Sequence, residues 1–573
     1  MEKNKKITIV VLIIAVILIL GITIYTQNRK NKISSAYDID MTINTDDGDE
    51  KIDWSIYENE EITLTDSMTI TEDGIYTLTG TINGSVKVKT SGNVKLILNN
   101  VSITSTDGPA IYIEDAEDVV IYLEEGSTNT LTDSASYSST YTDIDGTLFS
   151  KSDLTIEGTG TLIVKANYLD GIVSKDDLKI KEGTYQIEAN DDGIRGKDSV
   201  YILGGTFDIT SGGDGIKSTN DTDTEKGFIM IEDGNISITA DLDGIDAETK
   251  LLIKNGTFNI TSGGGSANAS TKEDWGMWGR NPYASTNSST NGDSAKGLKS
   301  GNNLVIEGGT FNLNTSDDAI HSNNYVGILG GDINVSSGDD GIHADTELII
   351  ENGNINITKS YEGIESGEIT INNGNINIVA TDDGINVAGG IDSSAEDRRG
   401  ENAYSSYSNN TLIINNGTIH VNAVGDGIDV NGNGYIYGGT VTVEGPTDNG
   451  NGTLDYDREF KVDGGTFIGS GSSGMLQSIS SASSQYNLTV YFSTSLTSSD
   501  TVIITDSNNN EILSHNSSKQ YNSLVFSSSK LEKGNTYTIK INGEVYQSFT
   551  ISSTTTTVGR STGMGGTMPG GRR

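Results

Sequence analysis

Cysteine is absent from the 573 residues, which excludes disulfides, thiolate metal sites and a lipid-modified cysteine anchor. Prolines number four and aromatics make up 6% of the chain, against 70 glycines, a balance that suits tight coils. Positive charge is also scarce. Lys and Arg total 37 against 79 Asp and Glu, a formal net charge of -42 that argues against nucleic acid as a partner. Such charge can mark disorder, but a regular pattern of isoleucines over most of the chain argues against it here. One long apolar run stands out, Ile7 to Tyr25, preceded by Lys3, Lys5 and Lys6 and followed by Arg29, Lys30 and Lys32. At 19 uncharged residues it is long enough to span a bilayer. Basic residues on both flanks leave orientation open. Ser34-Ser35-Ala36 resembles a cleavage site but lies far from the run. Residues 1–32 are therefore expected to be an uncleaved membrane anchor, with the rest of the chain extracellular.

What is present is a repeat. Ile306, Gly308-Gly309, Phe311, Leu313, Asp317-Asp318, Ile320 and His321 recur 22 residues later as Ile328, Gly330-Gly331, Ile333, Val335, Asp339-Asp340, Ile342 and His343. Within each short run apolar and polar residues alternate, the period of a strand. Three such runs per unit read as one coil of a solenoid that buries its apolar edge against the next coil. An Asp-Gly-Ile slot recurs at Ile172, Ile194, Ile216, Ile245, Ile320, Ile342, Ile364, Ile385 and Ile428, with Leu298 taking it once. A second stripe runs from Ile180 to Ile436 and a third from Tyr185 to Val441, and all three are expected inside a three-sided tube. The residue after each slot isoleucine varies (Val173, Arg195, Lys217, Asp246, Lys299, His321, His343, Glu365, Asn386, Asp429) and is expected to face outward, free for function. The Leu-rich signature of leucine-rich repeats is missing, and the nine-residue unit of calcium β-rolls does not fit the period. An all-β parallel β-helix is left.

In chain order, residues 33–60 read as an acidic linker, 61–468 as the β-helix with irregular early coils, 469–484 as a Ser-rich joint, 485–552 as a small antiparallel β unit and 553–573 as a disordered tail. Two insertions interrupt the coils. One, of about 31 residues between Gly263 and Gly297, carries Trp275, Trp278 and Tyr283; the other, of about 21 residues between Ala388 and Asn410, carries Arg398, Arg399, Tyr404 and Tyr407. They are expected on opposite edges of one sheet, about four coils or ~19 Å apart. The row Lys299, His321, His343, Glu365, Asn386 would run between them as the floor of a groove.

The runs GIYTLTG from Gly74, LILNNVSIT from Leu96, GPAIY from Gly108, NTLTD from Asn129, FSKSDLTIEGTGTLIV from Phe149, DGIRGKDSV from Asp192 and DGIKSTND from Asp214 resemble a bacterial cell-surface family, the carbohydrate-binding-domain proteins. The resemblance covers about residues 60 to 480. It implies a pectate-lyase-like, right-handed, calcium-carrying parallel β-helix, of a type that binds cellulose and pectic acid and is a binder more than a lyase.

Stacked coils bring like charges one strand spacing apart, and such carboxylates either take up protons or bind a cation. Oxygen-only ligands suit Ca²⁺. The expected calcium ligands are Asp317, Asp318, Asp339 and Asp340 first, then Asp191, Asp192 and Asp214, then Asp382 and Asp383. A lone Asp reads better as an Asx-turn bonded to its own amides. Lys296 replaces Asp in the coil with the long insertion, which is expected to lack a site. The expected carbohydrate-binding residues are Trp275, Trp278 and Tyr283, whose flat faces suit sugar rings, with Lys299, His321, His343 and Glu365 on the floor. Against this stand a loop mini-core for the aromatics, and a transition-metal site or two duplicated exposed histidines for His321 and His343. The row shows no matched base and acid around one carboxylate cluster, so catalytic residues are not assigned. The expectation is a membrane-anchored, extracellular, Ca²⁺-binding polysaccharide binder, with a Ca²⁺-dependent lyase and a structural adhesin as alternatives.

Overall fold

A computed structural model describes residues 41, 52–269, 294–388 and 410–560. The predicted anchor, Trp275, Trp278, Tyr283 and the Arg398 to Tyr407 cluster lie outside these residues. Among the described residues no helix is long and apolar enough to cross a membrane. Helix is limited there to single 3₁₀ turns at Trp54–Ile56 and Ser266–Asn268.

The structure is all-β. A typical repeat supplies three strands, as in Ile320–Ser322, Tyr325–Ile328 and Asp332–Ser336, and in two repeats the first two run together as Ile342–Ile350 and Ile364–Ile371. Every strand pairs in parallel with its equivalent one repeat on, Ile320 with Ile342, Ile328 with Ile350, and Ile333 with Ile355. The result is one long parallel sheet consistent with a β-helix of three faces. The strand holding the Asp-Gly-Ile isoleucine forms the first face; the next two strands form the second and third.

Alternation puts the predicted stripes inside. Ile172, Ile342 and Ile428 on the first face, Ile180 and Ile350 on the second and Tyr185 and Phe311 on the third are all fully buried in one continuous core. Aromatic rings stack from coil to coil along this core, Tyr185 on Phe207 and Phe258 on Phe311. Two glycine positions are dictated by geometry. Gly309 and Gly331 turn the chain from second face to third with φ of 106° and 105°, where a side chain is strained. In the Asp-Gly-Ile slot the demand is space: a Cβ on Gly341 would stand 2.6 Å from the Gly363 carbonyl oxygen of the next coil.

The second face departs from simple alternation. Its outward row Tyr201, Met230, Leu252, Val305 is apolar and 2 to 7% exposed, with Met41 packed against it. Strands buried on both sides need continuous apolar runs, and Phe228-Ile229-Met230-Ile231 is one. Met41 therefore has a seat on the body although it lies in the stretch read as linker.

At the far end Thr466–Gly471 accepts an antiparallel partner, Tyr521–Ser528, which closes the open edge of the sheet. That partner also pairs with Asn487–Leu496, and Thr555–Val558 adds in parallel to the same strand. The predicted tail boundary at 553 is thus corrected, because Thr555 to Val558 complete a ladder and Val558 is buried. A separate four-stranded sheet packs beside them around Tyr537, Ile539 and Phe549.

Candidate functional site

The first face carries a ladder of acids. Asp170, Asp192, Asp214 and Asp243 stack in successive coils and are 1 to 6% exposed. Each carboxylate uses one oxygen to hold the next coil. Oδ1 of Asp170 accepts from the Asp192 amide at 3.1 Å, Asp192 from Asp214 at 2.9 Å and Asp214 from Asp243 at 2.8 Å. The same bond recurs from the Asp340 amide to Asp318 at 2.9 Å and from the Asp426 amide to Asp383 at 2.6 Å. These are bonds between coils, in place of the local Asx-turn that a single Asp suggests. Glycine at 213 and 425 leaves room for the carboxylates of Asp191 and Asp192, and of Asp382 and Asp383, which a side chain there would strike.

The second oxygen of each Asp faces the row that follows the isoleucines. Lys217 pairs with Asp214 at 2.5 Å, Lys299 with Asp243 at 2.9 Å, and His321 Nδ1 with Asp318 at 2.8 Å. Arg195 reaches Asp170 at 2.5 Å and Asp145 at 2.7 Å. His343 lies among three carboxylates, with Nδ1 3.1 Å from both Asp340 and Glu365 and Nε2 3.1 Å from Asp345. The two imidazoles stack in register at 5.0 Å between centroids. The expectation of an open, solvent-facing row is corrected: His321 and His343 are 3% and 2% exposed because they bond down onto the ladder. Lys296 fills the Asp slot of its coil with its ammonium 2.9 Å from both Asp317 and Asp318, the leading predicted calcium ligands.

The charge pattern changes beyond His343. The row continues as Glu365, Asn386, Asp429 and Asp455, and the ladder as Glu362, Asp383 and Asp426. No cation pairs with Asp383, Asp426 or Asp429 among the described residues. Burial, reinforced by neighbouring acids, raises the carboxyl groups of Asp383 to about 8, Asp429 to about 7 and Asp426 to about 6. Glu362 is also pushed well above its usual range, by burial first and then by Glu365. Earlier coils behave differently. Burial opposes ionisation of Asp318 and Asp243, yet Lys296 and His321 beside the first and Lys299 beside the second hold them below the usual range. Asp170, where burial outweighs Arg195, rises to about 8. The Asn386 amide donates to Glu362 at 2.7 Å, while its buried oxygen has no hydrogen-bond partner among the described residues.

The family model described as carbohydrate-binding domain-containing protein matches residues 65–341 and 323–395. The chain belongs to this family. Of its relatives, a carbohydrate-binding domain-containing protein of Acetivibrio thermocellus is 38% identical over 128 residues, which is 21% of this chain and 44% of that protein. The chain thus spans less than half the length of that relative. A solved structure described as the polysaccharide lyase-like protein from C. thermocellum, gadolinium derivative, is 34% identical, with 36% of this chain and 91% of that one covered at a TM-score of 0.35.

In this carbohydrate-binding family member, several predicted ligands do converge. Asp170, Asp191 and Asp192 place ligand oxygens within 4.8 Å of one another, as do Asp214, Asp243 and Asp246, then Asp317, Asp318 and Asp339, and the atoms of Asp340, His343 and Glu365. Sequence reasoning missed the counter-ions inside these groups. The signal was legible: Asp214 with Lys217, Asp318 with His321 and Asp340 with His343 share one three-residue spacing.

Proposed function

We propose that the protein is an extracellular polysaccharide-binding protein, held to the membrane by residues 7–25, whose right-handed β-helix carries Ca²⁺ as a structural ion and performs no cleavage. The observation that carries the reading is the family match, which spans residues 65–395 and so takes in most of the acid ladder. The donor chemistry supports calcium in the downstream coils. Asp382, Asp383, Asp426 and Asp429, with the Asn386 oxygen that has no partner among the described residues, are oxygen donors only, and Ca²⁺ takes such sets readily. A bound divalent cation would relieve the mutual repulsion of these acids. The Asp317 and Asp318 pair fits less well, because the Lys296 ammonium already lies between its carboxylates.

Binding is favoured over lyase chemistry by the state of the basic residues. Lysine acts as a base only when unprotonated. Burial disfavours the charged forms of Lys217 and Lys299, but the carboxylates beside them outweigh it and push both well above the ordinary range. Both are thus held as ammonium ions and used up in ion pairs. The test is retention of the protein on cellulose and on polygalacturonate, with and without EDTA. Retention on at least one polymer is expected, without release of unsaturated products. Ultraviolet absorbance rising on polygalacturonate with calcium present would replace this reading with the lyase.

A further inference from the structure

The third face carries a feature the ladder does not explain. Its central outward column is Asn259, Asn312, Asn334, Asn356, Asn377, then His420, one residue per coil in unbroken register. The amides are linked in two runs, Asn259 with Asn312 and then Asn334 through to His420, with no hydrogen bond between the Asn312 and Asn334 amides. Asn312 donates to Asn259 at 2.9 Å, Asn356 to Asn334 at 3.4 Å and Asn377 to Asn356 at 2.9 Å, and Asn377 lies 3.0 Å from His420 Nδ1. Asn259, Asn312 and Asn334 are nevertheless exposed. Two shallow depressions, of about 460 and 310 Å³, lie on this face and share Asn334. Flanking columns are mostly Thr, Asn and Ser. Their two charges are Asp332, which accepts from Asn354 at 2.6 Å, and Lys359, whose ammonium is pinned to the Ser266 carbonyl.

Three physical points decide what this surface suits. A carboxamide both donates and accepts, as a sugar hydroxyl does, and each chained amide keeps a second N–H for a ligand. Chaining fixes the amides before binding, so little side-chain freedom is lost on contact. From Asn259 to Asn377 the column is neutral in a chain of formal charge -42, and Asp208 lies at the upstream end of the larger depression, so the column offers nothing to an anionic polymer that the rest of the molecule repels.

We propose that this face, centred on Asn312, Asn334 and Asn356, is where the polymer lies, and that the polymer is a neutral, hydroxyl-rich polysaccharide extended across the strands. The inference rests on the polysaccharide-binding reading and adds the surface and the charge class of the ligand. It separates the recognition surface from the acid ladder, which lies on the first face. Contacts repeat every ~4.8 Å along the column, so affinity rises with oligomer length until the column is spanned.

The test uses the full chain with cellulose and soluble β-1,4-linked gluco-oligosaccharides as probes, against polygalacturonate. Wild type is expected to bind the neutral probes, with no effect of EDTA or high salt. The triple variant Asn312→Ala, Asn334→Ala, Asn356→Ala should bind about tenfold more weakly or worse. Asn334→Arg, at an exposed position that leaves inward packing intact, should lose binding too and covers the case in which the triple variant melts early. Equal binding by wild type and Asn334→Arg overturns the face while the polysaccharide reading stands. Retention on polygalacturonate alone, abolished by EDTA, overturns the neutral ligand and moves recognition to the acids. Binding to neither polymer overturns the polysaccharide reading itself.

Discussion

The first face has two halves built from the same slot with opposite electrostatics. From Asp170 to Asp340 the ladder is interlocked with Arg195, Lys217, Lys296, Lys299, His321 and His343. From Glu362 to Asp455 the same positions hold acids and one asparagine. Backbone register is kept across the junction, and beyond Glu362 the carboxylate-to-amide bond reappears between Asp383 and the Asp426 amide. The fold thus does not fix the charge of the Asp slot, since Lys296 occupies it in one coil. The neighbouring row then decides whether the acid is neutralised from within the chain or left to take up a proton or a cation.

The sharpest way to break the upstream half is to remove one internal cation. Lys296 is 2% exposed and bridges two carboxylates. Lys296→Met should cost about 3 kcal/mol, since it removes the ammonium from the buried Asp318 carboxylate and leaves it only His321. Chemical denaturation would show it as a lower midpoint at unchanged slope. A loss below about 1 kcal/mol, the range of exposed ion pairs, would mean that water reaches this pair.

The downstream half is probed by calcium and pH together. Asp383, Asp429 and Asp426 have carboxyl groups raised to about 8, 7 and 6 in the folded protein. Folding there favours the protonated form. This contribution is complete below the unfolded value of about 3.9 and is lost as pH rises through the folded values. In EDTA the melting temperature should therefore fall between pH 5 and 8. Upstream Asp170 adds to the fall. Calcium at about one hundred times its Kd should restore about 2.7 kcal/mol at pH 8 and little at pH 5. Equal stabilisation at both values would place the ion elsewhere.

His343 gives a smaller effect with its own pH signature. Burial lowers its affinity for a proton, but Asp340, Asp345 and Glu365 outweigh that and raise it well above the ordinary range. Stability from the imidazolium is complete below the unfolded value of about 6.5 and is lost as pH rises through the folded value. His343→Gln should cost about 2 kcal/mol at pH 6 and less as the solution turns alkaline. A pH-independent loss would point to packing against His321 alone.

Much of the fold was legible because the three inward stripes obey strand alternation at a fixed 22-residue period, and Ile180, Ile342 and Phe311 are buried as that pattern demands. The apolar outward row was harder to see. Tyr201 and Leu252 sit in short apolar runs that look the same whether one side or both are covered. Within the site, the acid positions could be read from the Asp-Gly-Ile slot, but their partners could not. His321 was expected in solvent because an outward backbone position says nothing of a side chain that bends back to an acid three residues before it. The chained asparagines were visible as letters, yet their alignment into one column depends on register through two insertions.

The smallest effect is also the most specific test of the contrast. Asp429 follows Asp426-Gly427-Ile428 as Lys217 follows Asp214-Gly215-Ile216. Asp429→Lys would write the upstream rule into a downstream coil, placing an ammonium where Lys217 meets Asp214. Asp429 is half-buried, so the new pair should add no more than about 1 kcal/mol in EDTA at pH 8. The larger consequence is on linkage. With a cation supplied by the chain, Asp426 no longer needs a proton, and the fall in stability from pH 5 to 8 should flatten. Calcium should then stabilise the variant less than wild type, because an ammonium competes for the same oxygens. If calcium raises the melting temperature of both proteins equally, the downstream acids are not its ligands, and the two halves differ in charge without differing in what they bind.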